Sequence, residues 1–172
     1  QTTEITASVL EVSSDDNFDL VADQTVSVTT TDDDVAGFTI VESSGSTSVD
    51  ESGTTDTFTV VLDAEPASDV VLTIASSDTG EATVTSSLTF TSANWDTAQT
   101  VTVTGVDDGL IDGTITSTVT VSVNDGSSDN NFDAVSDQTV SVATTDDDVA
   151  GFTIVESSGS TSVAESGTTD TL

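Results

Sequence analysis

The chain contains 32 aspartate and glutamate residues and no lysine, arginine or histidine, which gives a formal net charge of −32 at pH 7. No ion pair with a basic side chain can therefore form within it. Repulsion among so many like charges opposes every compact state. A folded form needs a counter-charge from outside the sequence, and the simplest source is a hard divalent cation held by carboxylate oxygens.

A disordered polyacid is the first alternative, because high charge and a hydrophobic fraction of only 34% are typical of chains that do not fold. Two features oppose it. The mean hydropathy is +0.02, and the apolar residues follow a period of two in tracts that lie between clusters of acids. The sequence therefore favours a folded chain that binds cations.

The composition also bears on function. Cysteine is absent, so neither a disulfide nor a thiolate metal site is expected, and no apolar run approaches the length of about 18 residues that a membrane span needs. Contacts to nucleic-acid phosphates need positive charge, which this chain lacks. Histidine, cysteine, lysine, tyrosine and arginine, the usual bases and nucleophiles, are all absent. We predict no nucleic-acid partner, no direct membrane insertion and no enzymatic activity.

An internal repeat divides the chain. Residues 17–57 recur at 131–171, an offset of 114, and the 41 aligned positions differ only at Leu20/Ala134, Ala22/Ser136, Thr29/Ala143 and Asp50/Ala164. This period has the size of one domain and predicts an array of independently folded units.

The phase of the repeat sets the predicted domain boundaries. Residues 35–148 form one complete repeat. Residues 1–34 are the C-terminal strands of a preceding repeat, and residues 149–172 are the N-terminal strand region of a following one. The pattern therefore predicts that the parent protein is longer and repetitive.

The complete repeat has an all-β pattern. Apolar residues such as Phe58, Val60 and Leu62 share one face of a run, and threonine and serine fill most alternate positions. Clusters of Asp, Gly, Ser and Asn separate seven such runs, at 37–49, 57–62, 69–75, 82–90, 99–106, 114–123 and 138–145. Seven runs at this spacing predict a seven-stranded antiparallel sandwich of immunoglobulin-like topology.

Alternating strand directions would bring acids from distant parts of the sequence to one end of this sandwich. Three connections and the exit of the last strand share that end, which collects Glu51, Asp78, Glu81, Asp107, Asp108, Asp112, Asp146, Asp147 and Asp148. Calcium takes about 6–8 oxygen ligands in flexible geometry, whereas magnesium demands a tighter octahedron, and zinc and copper prefer nitrogen and sulfur. The cluster therefore predicts bound Ca²⁺. The alternative is a solvated acidic face that only confers solubility or salt tolerance.

Two further acidic segments are candidate ligands. Asp32, Asp33 and Asp34 lie between the preceding and the complete repeat, where a calcium ion would join neighbouring repeats. Glu165 occupies the position of Glu51 in the following repeat, while Ala164 replaces Asp50 there. Asp50 is therefore a poor candidate for an essential ligand.

Several motifs resemble Calx-beta repeats, which are named for the calcium-binding domains of sodium–calcium exchangers. They are DDDVAGFT at 32–39, VDESG at 49–53, LTF at 88–90 and TVTVTGVDD at 100–108. Residues 87–103 are similar to tandem repeats of very large bacterial surface adhesins, often from marine species.

The resemblance implies a seven-stranded sandwich with calcium at the end where the last strand exits. By position, the implied ligands are Glu51, either Asp78 or Glu81, the group Asp107, Asp108 and Asp112, and the terminal triad Asp146, Asp147 and Asp148. Asp112 stands where the family often has glutamate.

Two functions are compatible with these observations. The first is a calcium-stiffened extender of a long extracellular adhesin or surface fibre, whose partners are neighbouring repeats of the same chain or fibre. The alternative is a calcium-dependent module that binds surface glycans or other cells. Trp95 would then be a sugar-stacking platform, unless it seals the end of the sandwich. Both functions place the protein outside the cell, at the cell surface or in a secreted fibre.

Overall fold

The structure, a computed structural model, describes residues 1–18, 20–156 and 159–170, with the side chain of Glu11 excepted. It contains two compact units, Gln1–Val35 and Ala36–Leu172. Residues 157–158 and 171–172 of the predicted following repeat lie outside the described residues, and the division into three repeat segments stays a prediction. Among the described residues, no helix has the length and apolar character needed to span a bilayer.

The first unit is a β-hairpin. Strand β1 (Thr2–Ala7) pairs antiparallel with β2 (Gln24–Thr29), and 3-10 turns at Glu11–Ser13 and Asp16–Phe18 connect them. Every residue of both strands is exposed. A two-stranded ribbon has no second layer to cover its apolar face.

The second unit is a sandwich of two sheets. Its strands are β3 (Phe38–Glu42), β4 (Thr47–Asp50), β5 (Thr55–Leu62), β6 (Val70–Ser76), β7 (Ala82–Val84), β8 (Ser87–Phe90), β9 (Gln99–Gly105), β10 (Ile115–Val123) and β11 (Gln138–Thr145). One sheet has the order β4-β11-β10-β6-β8 and the other β3-β5-β9-β7. The predicted all-β sandwich is confirmed.

The seven predicted runs form nine strands because two of them change sheets. Run 37–49 contributes β3 to one sheet and β4 to the other, and run 82–90 does the same with β7 and β8. Strand β4 pairs in parallel with β11, whereas every other described pair is antiparallel. Each split run closes one side of the sandwich.

The core lies between the inward faces of the two sheets. Phe58, Val60 and Leu62, which the alternation placed on one face, are all buried. Trp95 packs partly buried against this core, and its carbonyl accepts a hydrogen bond from the Leu62 N–H at 3.1 Å. Trp95 thus packs against the core beside the last residue of β5.

The chain enters and leaves the sandwich at opposite ends. Phe38, at the start of β3, lies opposite Leu62, the last residue of β5. Thr145, at the end of β11, lies opposite Asp50, which shortly precedes the start of β5. Because β5 has eight residues, the two ends are separated by about 20–25 Å at the usual rise of a strand.

Candidate metal centre

Six carboxylates gather at the end of the sandwich from which the chain exits. They come from the turn after β4, the β6–β7 turn, the β9–β10 loop and the segment after β11. Cluster one consists of Glu51, Asp146 and Asp148, and cluster two of Glu81, Asp108 and Asp112. Within each cluster, one carboxylate oxygen of every member lies within 4.8 Å of the others.

The parallel pairing of β4 with β11 positions Glu51. Asp50 lies opposite Thr145, and the Glu51 N–H donates to the Thr145 carbonyl at 3.0 Å. Gly105 permits this turn to lie close to β9, because a Cβ at that position would be 2.1 Å from the Asp50 carbonyl oxygen. The glutamate side chain is left only 1% exposed.

Asp146 is held by backbone donors. Its carboxylate accepts the Gly113 N–H at 2.9 Å and the Asp148 N–H at 2.8 Å. These bonds, the one from Gly113 first, hold the pKa of Asp146 below its ordinary value. Gly113 has φ +76, a conformation that favours glycine. The β9–β10 loop is thereby tied to the segment after β11.

Glu81 is fixed through its main chain. Its carbonyl accepts the Val106 N–H at 2.9 Å and the hydroxyl of buried Thr144 at 3.5 Å. The side chain is 6% exposed. Asp108, its neighbour in cluster two, accepts the Leu110 N–H at 2.7 Å, which shapes the loop around the cluster.

Several of these carboxylate oxygens are buried without any hydrogen-bond partner. Both oxygens of Glu51, Oε2 of Glu81 and Oδ2 of Asp148 are in this state. Burying an unpaired polar or charged group is costly, and native proteins almost always satisfy such groups. The sequence contains no basic side chain to do so. A bound cation would supply the partner that these buried oxygens lack.

Burial and like charge together disfavour ionisation at this end. Burial raises the pKa of Glu51 to about 7, and the charges of Asp146 and Asp108, followed by those of Glu81 and Asp112, add to this effect. The pKa of Glu81 is raised by burial, then by the charges of Asp112, Asp108 and Asp78, and last by that of Asp146 in cluster one. The pKa of each buried glutamate is thus raised by charges of both clusters. We call the six clustered carboxylates together the basin.

The donor set matches a hard cation. All six clustered side chains offer oxygen, and they come from turns and loops, which suits the flexible coordination of calcium. The sequence contains no histidine and no cysteine, whose nitrogen and sulfur atoms zinc and copper prefer as ligands. The residues present therefore fit Ca²⁺ at cluster one and at cluster two.

Three predicted ligands lie at the same end but outside both clusters. Asp78 is exposed, and its carboxylate accepts the Gly80 N–H at 3.0 Å. Asp147 is exposed between Asp146 and Asp148, beyond the end of β11. Asp107 is also exposed, and its charge contributes to the raised pKa of Asp148, after burial and the charge of Asp146.

The remaining predicted ligands lie elsewhere in the chain. Asp32, Asp33 and Asp34 are exposed in the first unit, where the Asp34 N–H donates to Oδ1 of Asp32 at 3.2 Å. Glu165 is exposed and belongs to neither cluster. Asp50 stabilises the turn instead of facing the basin: its carboxylate accepts the Ser52 N–H at 2.9 Å and the Thr145 hydroxyl at 3.1 Å.

The sequence analysis did not identify a buried serine near this end of the sandwich. Ser117 is buried on the inward face of β10, and its hydroxyl has no hydrogen-bond partner. The signal was present in the sequence, since Ser117 occupies an inward position that Val119 and Val121 continue. The polar character of this end therefore extends into the first inward layer of the core.

Acidification should stabilise the calcium-free chain. The pKa of Glu51 is 4.5 in its ordinary state and about 7 in the fold, so protonation favours the folded state. The stabilisation that protonated Glu51 contributes is fully present below about pH 4.5 and is lost as the pH rises through about 7. We expect the melting temperature, followed by circular dichroism in a chelator, to rise when the pH is lowered from about 8 to about 5.

Calcium provides the control for this pH dependence, because a bound cation competes with the proton for the same oxygens. In excess calcium the rise on acidification should disappear or reverse. A flat melting profile between pH 5 and 8 in the chelator would contradict the assigned burial of Glu51.

Comparison with known proteins gives structural likeness only. No protein-family model matches the chain, and no curated protein matches it. Among solved structures, domains 4 and 5 of the S-layer protein SbsC are similar at 23% identity and a TM-score of 0.48, over 84% of this chain and 58% of that one.

Two further structures have similar scores. SbsC domains 1–6 match at 21% identity and a TM-score of 0.49, over 85% of this chain and 16% of that one. The apo-form Calx CBD1 domain matches at 13% identity and a TM-score of 0.45, over 64% of this chain and 98% of that one. The chain thus spans less than two thirds of both SbsC structures. Every one of these TM-scores is below 0.5, so the β-sandwich is assigned from the sheets of the chain itself.

Proposed function

We propose that the complete repeat binds Ca²⁺ at its acidic end and serves as a calcium-stabilised structural repeat of a longer surface or extracellular protein. One observation carries the proposal: Glu51 is buried with both carboxylate oxygens unpartnered, directly beside Asp146 and Asp148. A bare anion in that position is unfavourable, and a divalent cation removes the penalty.

The clustered residues have distinct roles in this proposal. Glu51, Asp146 and Asp148 hold one ion, and Glu81, Asp108 and Asp112 hold a second. The bound ions would supply positive charge and cross-link the turns and loops that carry these acids. The chain's own contribution is to fix the ligands through backbone bonds, such as those from Gly113 to Asp146 and from Glu51 to Thr145.

The extender role is supported by the position of the chain ends in the sandwich. The chain enters beside Leu62 and leaves beside Asp50, at the opposite end. Tandem copies connected in this way lengthen an array, and the neighbouring repeats are the proposed partners. We further propose that the repeat is not catalytic and works outside the cell, where modules of this kind bind calcium at about 10⁻⁴–10⁻³ M.

The alternative, a calcium-dependent glycan- or cell-binding module, has less support. Trp95 packs against the core, and its backbone carbonyl accepts a hydrogen bond from the Leu62 N–H. The fold therefore already accounts for the aromatic residue on which this alternative depended.

Replacing Glu51 with glutamine tests the calcium site. Glu51→Gln keeps the shape of the side chain but removes the buried charge. We expect the calcium-free variant to melt at a higher temperature than the unchanged chain, because the raised pKa of Glu51 no longer opposes folding. Calcium affinity at cluster one should fall at least about tenfold, since affinity follows the number of charged ligands. Isothermal titration calorimetry measures both affinity and stoichiometry.

Glu65→Gln is the matched control, because Glu65 is an exposed glutamate between β5 and β6, at the opposite end of the sandwich. It removes the same charge and should leave calcium binding unchanged. Equal calcium binding by Glu51→Gln and the unchanged chain would refute the proposed site.

A further inference from the structure

Aspartate is followed directly by glycine at three places in the complete repeat, Asp108–Gly109, Asp112–Gly113 and Asp125–Gly126. Such a pair is chemically labile, because glycine has no side chain to hinder attack of its backbone nitrogen on the preceding carboxyl group. The attack gives a cyclic succinimide, which water opens either to aspartate or to isoaspartate. The three pairs differ in the local structure that controls this reaction.

The Asp108–Gly109 pair lies in the exposed, irregular part of the β9–β10 loop. Oδ1 of Asp108 accepts the Leu110 N–H at 2.7 Å, and the ring that this bond closes contains the Gly109 nitrogen. The carboxyl group is therefore folded beside the atom that would attack it. Gly109 has φ +83, and among the described residues no heavy atom beyond its chain neighbours lies within 4 Å of the place that a Cβ would take. The peptide group thus has room to turn towards the carboxyl carbon.

The attacking nitrogen is occupied in the second pair of the same loop. The Gly113 N–H donates to Oδ2 of Asp146 at 2.9 Å, so it is bound to a charged acceptor. The Gly109 N–H, by contrast, donates no hydrogen bond to any of the described residues. Opening one hydrogen bond to a charged acceptor slows a reaction by about tenfold or more. Asp108 should therefore react faster than Asp112.

We propose that Asp108–Gly109 is a site of spontaneous isomerisation to isoaspartate, and that a calcium ion at cluster two protects it. In the first step the Gly109 nitrogen bonds to Cγ of Asp108 and one Cγ–O bond breaks. The oxygen leaves as water, with the amide proton and a proton from solvent. In the second step water adds to the main-chain carbonyl carbon of Asp108, the bond from that carbon to the Gly109 nitrogen breaks, and the main chain then runs through Cβ. Neither step needs an oxidant or a reductant, and the mass of the chain is restored.

The protection rests on the proposed function, because Asp108 is one of the three acids of cluster two. Glu81 of the same cluster is 6% exposed, and its Oε2 has no hydrogen-bond partner, which independently indicates a ligand there. With an ion bound, the carboxylate oxygen that must leave is held in place, and so is the loop. Isomerisation in turn shortens the arm that carries the carboxylate and lengthens the main chain. Calcium affinity at cluster two should therefore fall once Asp108 has reacted.

Incubation of the full chain for several weeks at neutral pH, in a chelator and in calcium, tests the proposal. Chymotrypsin, which cleaves after Trp95, Leu110 and Phe132, separates Asp108 from the other two pairs, and electron-transfer fragmentation then distinguishes isoaspartate from aspartate. In the chelator we expect isoaspartate at Asp108 to form about tenfold faster than at Asp112, or faster still. Calcium at about ten times its dissociation constant should slow the conversion of Asp108 about tenfold, in proportion to the fraction of empty sites.

Two substitutions of Asp146, compared in the chelator, test the role of the Gly113 bond. Asp146→Ala removes the acceptor, so the conversion of Asp112 should rise towards that of Asp108. Asp146→Asn keeps an acceptor oxygen, so Asp112 should stay slow, and equal rates in the two variants would contradict the assigned role of the bond. Asp125–Gly126 lies in a 3-10 turn outside both clusters. It is the internal control, and its conversion should not respond to calcium.

The outcomes separate this proposal from the calcium site itself. If no isoaspartate forms at Asp108 in the chelator while calcium still raises the melting temperature, the modification site is overturned and the proposed function stands. If Asp108 converts equally fast with and without calcium although calcium raises the melting temperature, its protection by cluster two is overturned; without that rise, the proposed function fails as well. Similar rates at all three Asp–Gly pairs in the chelator would overturn the assignment of Asp108–Gly109, because the geometry of the loop would then not govern the reaction.

Discussion

Saturating calcium should raise the melting temperature of the chain by about 10–20 °C. Two ions that bind only the folded state, each at about 10–100 times its dissociation constant, stabilise it by about 3–5 kcal/mol together. One kcal/mol moves the midpoint of a domain of this size by several degrees. Circular dichroism melts across a calcium titration, starting from a chelated sample, measure the effect.

Two controls distinguish bound calcium from general screening. Magnesium should raise the midpoint less, because it keeps its waters and demands a tighter octahedron. Sodium chloride at matched ionic strength reports the screening of repulsion among the exposed acids alone. If calcium raised the melting temperature no further than sodium chloride does, the acidic end would be a solvated surface and not a metal site.

The gathering of acids from three connections and the segment after the last strand could be predicted because it depends only on strand direction. Once the runs 37–49, 69–75, 99–106 and 138–145 were expected to end on the same side, the residues that follow them had to meet. The sequence did not determine which acids of a run face the basin. Asp146 and Asp148 belong to cluster one while Asp147 is exposed, and the Gly113 N–H that holds the Asp146 carboxylate comes from a loop far away in the sequence.

Only one of the two changes of sheet is marked by the alternation of apolar residues in the sequence. In run 37–49 the inward residues change from Phe38 and Ile40 to Thr47 and Val49, so the alternation shifts phase across the polar turn between them. Run 82–90 keeps its phase, and nothing in its alternation marks the break before Ser87. A change of sheet without a change of phase depends on packing between the layers, which period-two patterns do not encode.

The parallel pairing of β4 with β11 has the largest consequence for the site and was not foreseen. These strands lie about 95 residues apart along the chain, as the bond from the Thr145 hydroxyl to Asp50 illustrates, and local patterns carry no information on such pairs. The pairing places Glu51 beside the exit of β11. The buried state of Glu51, and the raised pKa that follows from it, therefore became visible only in the structure.

Gly105→Ala should destabilise the repeat and weaken calcium binding at the same time. The added methyl group would lie 2.1 Å from the Asp50 carbonyl oxygen and 2.8 Å from its carbon, both backbone atoms that cannot rotate away. The turn that carries Glu51 must therefore move away from β9. We expect a loss of about 3 kcal/mol in the free energy of unfolding. Calcium affinity should fall because Glu51 withdraws from Asp146 and Asp148.

Gly126→Ala is the matched control for this substitution. It adds the same methyl group in the 3-10 turn Asp125–Ser127, where the nearest atom would be the Asn124 side-chain oxygen at 3.8 Å. Chemical denaturation of both variants, with and without calcium, separates loss of stability from loss of binding. If Gly105→Ala melted and bound calcium as the unchanged chain does, the close approach of Asp50 to β9 could not be what places Glu51 in the basin. A loss of calcium response confined to Gly105→Ala would tie the metal centre to this single contact between a turn and a strand.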